Sequence, residues 1–244
     1  MRPWSSIPIH ECGERMVALP AQLLRLEPHP YQALGAPYGP GASPFWLREQ
    51  VVKRLLRAQI KLQRRNPSWR LAIFDGWRPL AVQSFMVEHT IREQCAIDGC
   101  DPDQRSPERE RVVADVLRFW APPSDDPATP PPHSTGAAVD LTLADAHGQG
   151  LAMGSAIDAI GAVSEPDHFL DRARRSSDRY QRQDFLLWHG HRRALREAME
   201  AVGFSQHPNE WWHFSWGDQL WAWSRGQPLA CYGRSPEPSS RPIT

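Results

Sequence analysis

Residues 133–143 read His-Ser-Thr-Gly-Ala-Ala-Val-Asp-Leu-Thr-Leu. From Ala137 to Leu143 the apolar Val139, Leu141 and Leu143 alternate with Ala138, Asp140 and Thr142. That period of two predicts a strand with one face turned to a core and Asp140 on the other. Gly136 and the two alanines after it allow the backbone to close up. His133 and Asp140, seven positions apart, can therefore converge at one end of the strand.

The segments on either side fill in the fold. Upstream, the run from Pro122 to Pro132 holds six prolines. It cannot be helix or central strand, because each proline lacks an amide proton and fixes φ; it reads as a stiff surface loop leading to His133. Arg70–Phe74 is a short apolar run ending at the turn dipeptide Asp75-Gly76, which predicts a second strand. Pro79, at a first helical position, opens a helix to about Ile97. Apolar residues at helical spacing predict a helix over Phe45–Arg65, and others fit Glu108–Trp120 and Asp184–Val202, the last closed by Gly203. The aromatic Glu210–Trp216 reads as a strand. Together these give an α+β fold: a small, mainly antiparallel sheet flanked by helices, in a single domain over 1–234. Three prolines and three serines in 235–244 predict a flexible tail.

Composition narrows the function. The 244 residues carry 28 basic and 28 acidic side chains, a net charge of zero with neutral His. A nucleic-acid binder needs an excess of Lys and Arg to displace counterions, and a polybasic membrane patch needs the same, so neither partner is expected. No apolar run approaches the ~18 residues of a spanning helix. The first twenty residues mix Pro, His and acids where an export signal needs an apolar run, so a cytoplasmic location is expected. Cys12, Cys95, Cys100 and Cys231 are scattered, as free thiols in a reducing compartment would be.

Three segments carry residue types suited to chemistry: Phe74–Pro79 (FDGWRP), His133–Asp140 (HSTGAAVD) and Glu210–Phe214 (EWWHF). A catalytic zinc needs three protein ligands, an open position for water and a carboxylate to take that water's proton. His133, Asp140 and His213 can fill the ligand roles, leaving Glu210 as base. Residues three apart point to opposite faces of a flat strand, so Glu210 must lie in the loop before the strand or at a bulge, after the turn signal Pro208-Asn209. Arg78 can stabilise an oxyanion or dock a carboxylate. Plainer readings stand beside these: Arg78 paired with Asp75 on the surface, His213 as a core histidine, and Glu210 as a solvated loop acid.

The set FDGWRP, HSTGAAVDLTL and EWWHF, in this order, resembles the D-alanyl-D-alanine dipeptidase family of zinc metallopeptidases. So do Ile7-Pro8-Ile9, Met153–Asp158 and Ser164-Glu165, so the likeness spans about residues 5 to 233. The resemblance implies one Zn²⁺ held by His133, Asp140 and His213, with Glu210 as general base and acid. It implies Arg78 as the cation facing the tetrahedral intermediate, and Asp158 as the carboxylate that holds the substrate's ammonium. The expected activity is hydrolysis of D-Ala-D-Ala to two D-alanines, tied to peptidoglycan precursor or fragment metabolism. A D,D-carboxypeptidase acting on longer wall peptides and a non-catalytic metal-binding relative are the alternatives. One departure is visible: where the family has Ser two places before its first His, this chain has Pro131.

Overall fold

The computed structural model describes residues 2–235, so all but the first residue of the expected tail lies outside the described residues. Ser235 itself is buried, and its N–H donates to the Ser134 carbonyl (2.9 Å). In chain order the strands are β1 (Met16–Ala18), β2 (Leu24–Arg25), β3 (Trp46–Arg48), β4 (Arg70–Asp75), β5 (Ala138–Ala144), β6 (Ser205–Gln206) and β7 (His213–Ser215). The helices are α1 (Pro30–Ala33), α2 (Glu49–Arg65), α3 (Leu80–Asp98), α4 (Pro107–Phe119), α5 (His168–Arg175), α6 (Arg179–Glu200) and α7 (Gln219–Ser224).

Five strands form one sheet in the order β2-β4-β5-β7-β6, and β1 pairs with β3 separately. Within the five-stranded sheet only β2 and β4 run parallel. Val139, Leu141 and Leu143 of β5 share a core with Leu71 and Ile73 of β4, Phe214 of β7, Leu55 of α2 and Leu195 of α6. Thus α2 and α6 cover that face. A second cluster gathers Val82 and Met86 of α3, Val116 of α4, Tyr31 and Trp120. The β5 alternation is real, but both its faces are buried, because the polar face is roofed by the functional residues described below.

Several boundaries move for local reasons. Trp46–Arg48, expected as the start of a helix, is instead strand, with Met16 opposite Arg48 and Ala18 opposite Trp46. Cross-strand pairing outweighs the helical spacing there, and α2 starts only at Glu49. Pro79 sits one place earlier than expected, as the N-cap of α3, and Gly99 closes that helix at φ 71°. The start of α6 lies five residues before Asp184, because the Asp178 side chain accepts from the N–H groups of Tyr180 and Gln181. At its end Phe204 N–H reaches Met199 O and Gly203 N–H reaches Glu200 O, a Schellman closure around Gly203 at φ 94°. The aromatic strand shrinks to His213–Ser215. The proline loop is surface only as far as Thr129, since Pro130 and Pro131 are buried.

The turn that delivers His133 to β5 depends on one glycine. Pro132–Thr135 form a single 3₁₀ turn, and Gly136 ends it at φ 70°. A Cβ there would stand 2.3 Å from the Met16 sulfur. Gly136→Ala is expected to destabilise the fold by about 1–3 kcal/mol, from left-handed strain and the shift of Met16. Urea denaturation measures this; an unchanged midpoint would show that the turn does not need glycine.

Candidate active site

The pairing of β5 with β7 places Asp140 directly opposite His213, and opposite residues point to the same face. His133, from the preceding turn, brings its Nε2 to 3.2 Å from His213 Nδ1 and 3.1 Å from Asp140 Oδ2. His213 Nδ1 lies 3.0 Å from Asp140 Oδ1. One donor atom from each of the three residues lies within 4.8 Å of the others, and all three residues are buried.

The outer partners of the two imidazoles fix where their protons sit. His133 Nδ1 donates to the Gly76 carbonyl at 2.7 Å, leaving a lone pair on Nε2. The Ser215 hydroxyl donates to Asp218 Oδ2 at 2.7 Å, so its oxygen accepts from His213 Nε2 at 3.3 Å. That leaves the His213 lone pair on Nδ1. Two imidazole lone pairs and a carboxylate therefore converge on one point. Such a set repels itself and is relieved by a cation, and two nitrogens with one oxygen suit Zn²⁺. The residues fit the metal.

The sheet edge beside them holds a buried ion pair. A β-bulge between Ile73 and Asp75 sets Asp75 opposite Asp140, re-aiming a carboxylate that regular pairing would turn to the far face. Arg78 donates to Asp75 Oδ2 from Nε (3.0 Å) and Nη2 (2.7 Å), and to Gln83 Oε1 from Nη1 (3.0 Å). The rings of Tyr31 and Trp120 each stand 5.0 Å from the guanidinium, whose Nη2 is 3.6 Å from Asp140 Oδ2. The pairing of Arg78 with Asp75 exists, but inside the cleft and not on the surface, and it aims the guanidinium at the site. Burial alone would raise Asp75, yet Arg78, His29 and His133 outweigh it and hold the carboxyl below its usual range.

Glu210 lies before β7, as the loop placement required, with Oε2 3.7 Å from His213 Nδ1. Its Oε1 is buried without a hydrogen bond among the described residues. Burial, reinforced by the charge of Asp140, pushes its pKa up to about 8. Asp158 borders the same cleft, whose volume is ≈ 470 Å³. It adopts φ 63° and accepts from the Tyr31 hydroxyl at 2.6 Å. Burial, with Asp140 adding, raises it to about 7. Its loop is held from beneath by Arg192, buried in α6, which donates to the carbonyls of Met153 (2.8 Å), Val163 (2.9 Å) and Glu165 (2.9 Å).

All six residues singled out in the sequence thus line one cleft. Others were missed. Asp75 read as a turn former or a surface partner of Arg78, not as part of the site, because nothing in the sequence marks the bulge. Tyr31 and Arg192 lie far from the three motifs in sequence, and Gln83, one turn into the helix after Pro79, belongs to none of them. His207 also escaped; it stands between Glu210 Oε1 (3.5 Å) and Arg2 Nη1 (3.5 Å).

Two histidines and a carboxylate with outward-facing second partners, and a free carboxylate beside them, define a metallohydrolase. The chain belongs to the D-alanyl-D-alanine dipeptidase family of zinc metallopeptidases: the family model described as D-ala-D-ala dipeptidase matches residues 25–232. It is 45% identical over 242 residues to a D-alanyl-D-alanine dipeptidase of Synechocystis sp., covering 96% of this chain and 97% of that protein. A D-alanyl-D-alanine dipeptidase of Enterococcus faecalis is 25% identical over 150 residues, covering 61% of this chain and 63% of that one. Among solved structures, a Zn(II) complex of a mutant of the vancomycin-resistance D,D-pentapeptidase VanY aligns with 92% of this chain and 96% of its own at a TM-score of 0.45 and 15% identity.

With its pKa near 8, Glu210 carries a proton at pH 7 in the metal-free chain. A cation at the His133–Asp140–His213 point favours the charged carboxylate and expels that proton. Zinc binding at pH 7 should therefore release about one proton more from the native chain than from Glu210→Gln. Calorimetry in buffers of different ionisation enthalpy reads this; equal release from both would place Glu210 outside the metal's field.

Proposed function

We propose that this chain hydrolyses D-alanyl-D-alanine to two D-alanines, with His133, Asp140 and His213 holding the zinc. The observation that carries the reading is the convergence of two imidazole lone pairs and Asp140, with the unbonded Glu210 carboxylate within 4 Å of His213. Bound zinc supplies a Lewis acid for the scissile carbonyl and acidifies water.

The chain's own residues divide the remaining work. Glu210 takes a proton from the attacking water and returns it to the leaving amine. With its own proton expelled by the bound cation, the carboxylate is free to accept one from water. Arg78, fixed by Asp75 and Gln83, turns its Nη2 toward the carboxylate ligand Asp140. There it faces the charge that develops on the carbonyl oxygen, without needing to reorganise. Asp158 receives the substrate's ammonium. An ammonium one residue from the cut satisfies a buried carboxylate, whereas a longer peptide presents an uncharged amide there and leaves it unpaired. This favours the dipeptide over the stem peptides that a D,D-carboxypeptidase takes. The same reading keeps the reaction in the cytoplasm, where the four free cysteines are stable.

Glu210→Ala should lose about 10²–10⁴-fold in kcat while still binding zinc; near-normal turnover would remove Glu210 from the base role. Asp158→Asn should raise KM for D-Ala-D-Ala and narrow the preference over a pentapeptide ending in D-Ala-D-Ala, as read from kcat/KM for both. Faster cleavage of the pentapeptide by the native chain would favour the carboxypeptidase.

A further inference from the structure

The cleft holds a second cation for which the chemistry above has no use. Arg2 reaches in from the N-terminal segment, its guanidinium 5.5 Å from the Trp4 ring, and borders the cleft together with His207 and Glu210. Arg78 is committed to Asp75 and Gln83. Arg2 is not: its Nη2 donates to the Phe119 carbonyl at 3.3 Å, its Nη1 lies 3.5 Å from His207 Nε2, and among the described residues it makes no ion pair. His207 is a poor acceptor for it. Asn209 N–H donates to His207 Nδ1 at 3.2 Å, and a neutral imidazole has a single lone pair, so the proton sits on Nε2. A half-buried guanidinium thus faces the cleft with unused donors: Glu210 acts on it by charge but makes no hydrogen bond or ion pair with it, so an anion docked there would complete it.

The direction of the substrate says which anion. Resting on the dipeptidase reading, the ammonium end lies at Asp158, beside Tyr31. The leaving amine belongs to the C-terminal residue and takes its proton from Glu210. The C-terminal residue must then lie on the Glu210 side of the scissile bond, where Arg2 and His207 stand. Pro131 and Pro132, at the neighbouring rim, have no N–H to offer a carboxylate. Past Arg2 the cleft opens into a wider groove of ≈ 1650 Å³ that Arg2 also borders. We propose that Arg2 binds the α-carboxylate of the dipeptide's C-terminal residue and so measures the substrate's length on that side. A peptide extended at its C-terminus would run into the groove and leave the guanidinium unpaired. A bidentate guanidinium–carboxylate contact is the geometry that this pairing favours.

The test compares D-Ala-D-Ala with its C-terminal amide in the zinc-loaded native chain, Arg2→Gln and Arg2→Lys. Arg2→Gln keeps the side-chain stem beside Trp4 but removes the charge. It should raise KM for the dipeptide about 10- to 100-fold and leave KM for the amide where it was, any change in kcat through Glu210 being shared by both compounds. Arg2→Lys should recover part of the loss. An unchanged KM for the dipeptide, or equal losses with dipeptide and amide, would overturn the assignment. Failure of the dipeptidase reading would show separately, as hydrolysis of neither compound by the native chain. In that event calorimetry with D-alanine and D-alaninamide decides: weaker binding of D-alanine alone by Arg2→Gln supports the carboxylate site, and equal binding by both proteins overturns it.

Discussion

The antiparallel register that sets Asp140 opposite His213 is the constraint on which the site depends. It puts a carboxylate and an imidazole side by side on one face of the sheet, while their neighbours Val139 and Phe214 pair on the other face and enter the core. A slip of one residue would exchange the two faces and bury the ligands among aliphatic side chains. Core packing against α2 and α6 therefore also holds the candidate metal ligands in place. His133 is added by a turn whose glycine lets the backbone double back, and its ring is aimed by the Gly76 carbonyl. Hydrogen bonds on the outer side of each ring keep both lone pairs inward.

Around this point the charges are arranged with an excess of acids. Asp75, Asp140, Asp158 and Glu210 line or support the cleft, against Arg78 and Arg2. Burying an ion pair such as Arg78–Asp75 is costly and does little for stability on its own. Its use here is positional: the Tyr38 hydroxyl donates to Asp75 Oδ1 at 3.2 Å, while Gln83 and the rings of Tyr31 and Trp120 hold Arg78 from its other sides. Burial, with the charge of Asp140 adding, keeps Glu210 and Asp158 above the usual carboxylate range, and a divalent cation and a substrate ammonium would offset the surplus. In the proposed reading a zwitterionic dipeptide meets a carboxylate at one end and, at the other, a guanidinium.

Much of this was legible in the sequence. The β5 alternation, the sheet's mainly antiparallel character and the placement of Glu210 ahead of its strand follow from local periodicity and turn chemistry, and the grouping of His133, Asp140 and His213 follows from residue types suited to a metal and from the family resemblance. The hidden parts depend on distance. β2 and β6 have two residues each, too few to display a period. Trp46–Arg48 became strand only because Met16–Ala18 lies alongside, which no helical window detects. Asp75 needed a bulge to reach the site, and Tyr31 and Arg2 come from segments more than 100 residues before Asp140. Side chains that support a site by long-range contact leave no spacing pattern of their own.

The most direct measurement is hydrolysis of D-Ala-D-Ala by the purified chain before and after removal of metal by a chelator, followed by addition of Zn²⁺. The geometry requires turnover in the metal-loaded protein, its loss on chelation with the fold retained, and its return as the zinc bound approaches one ion per chain. Turnover that survives complete metal removal, or a zinc-loaded, folded chain that leaves the dipeptide intact, would contradict it.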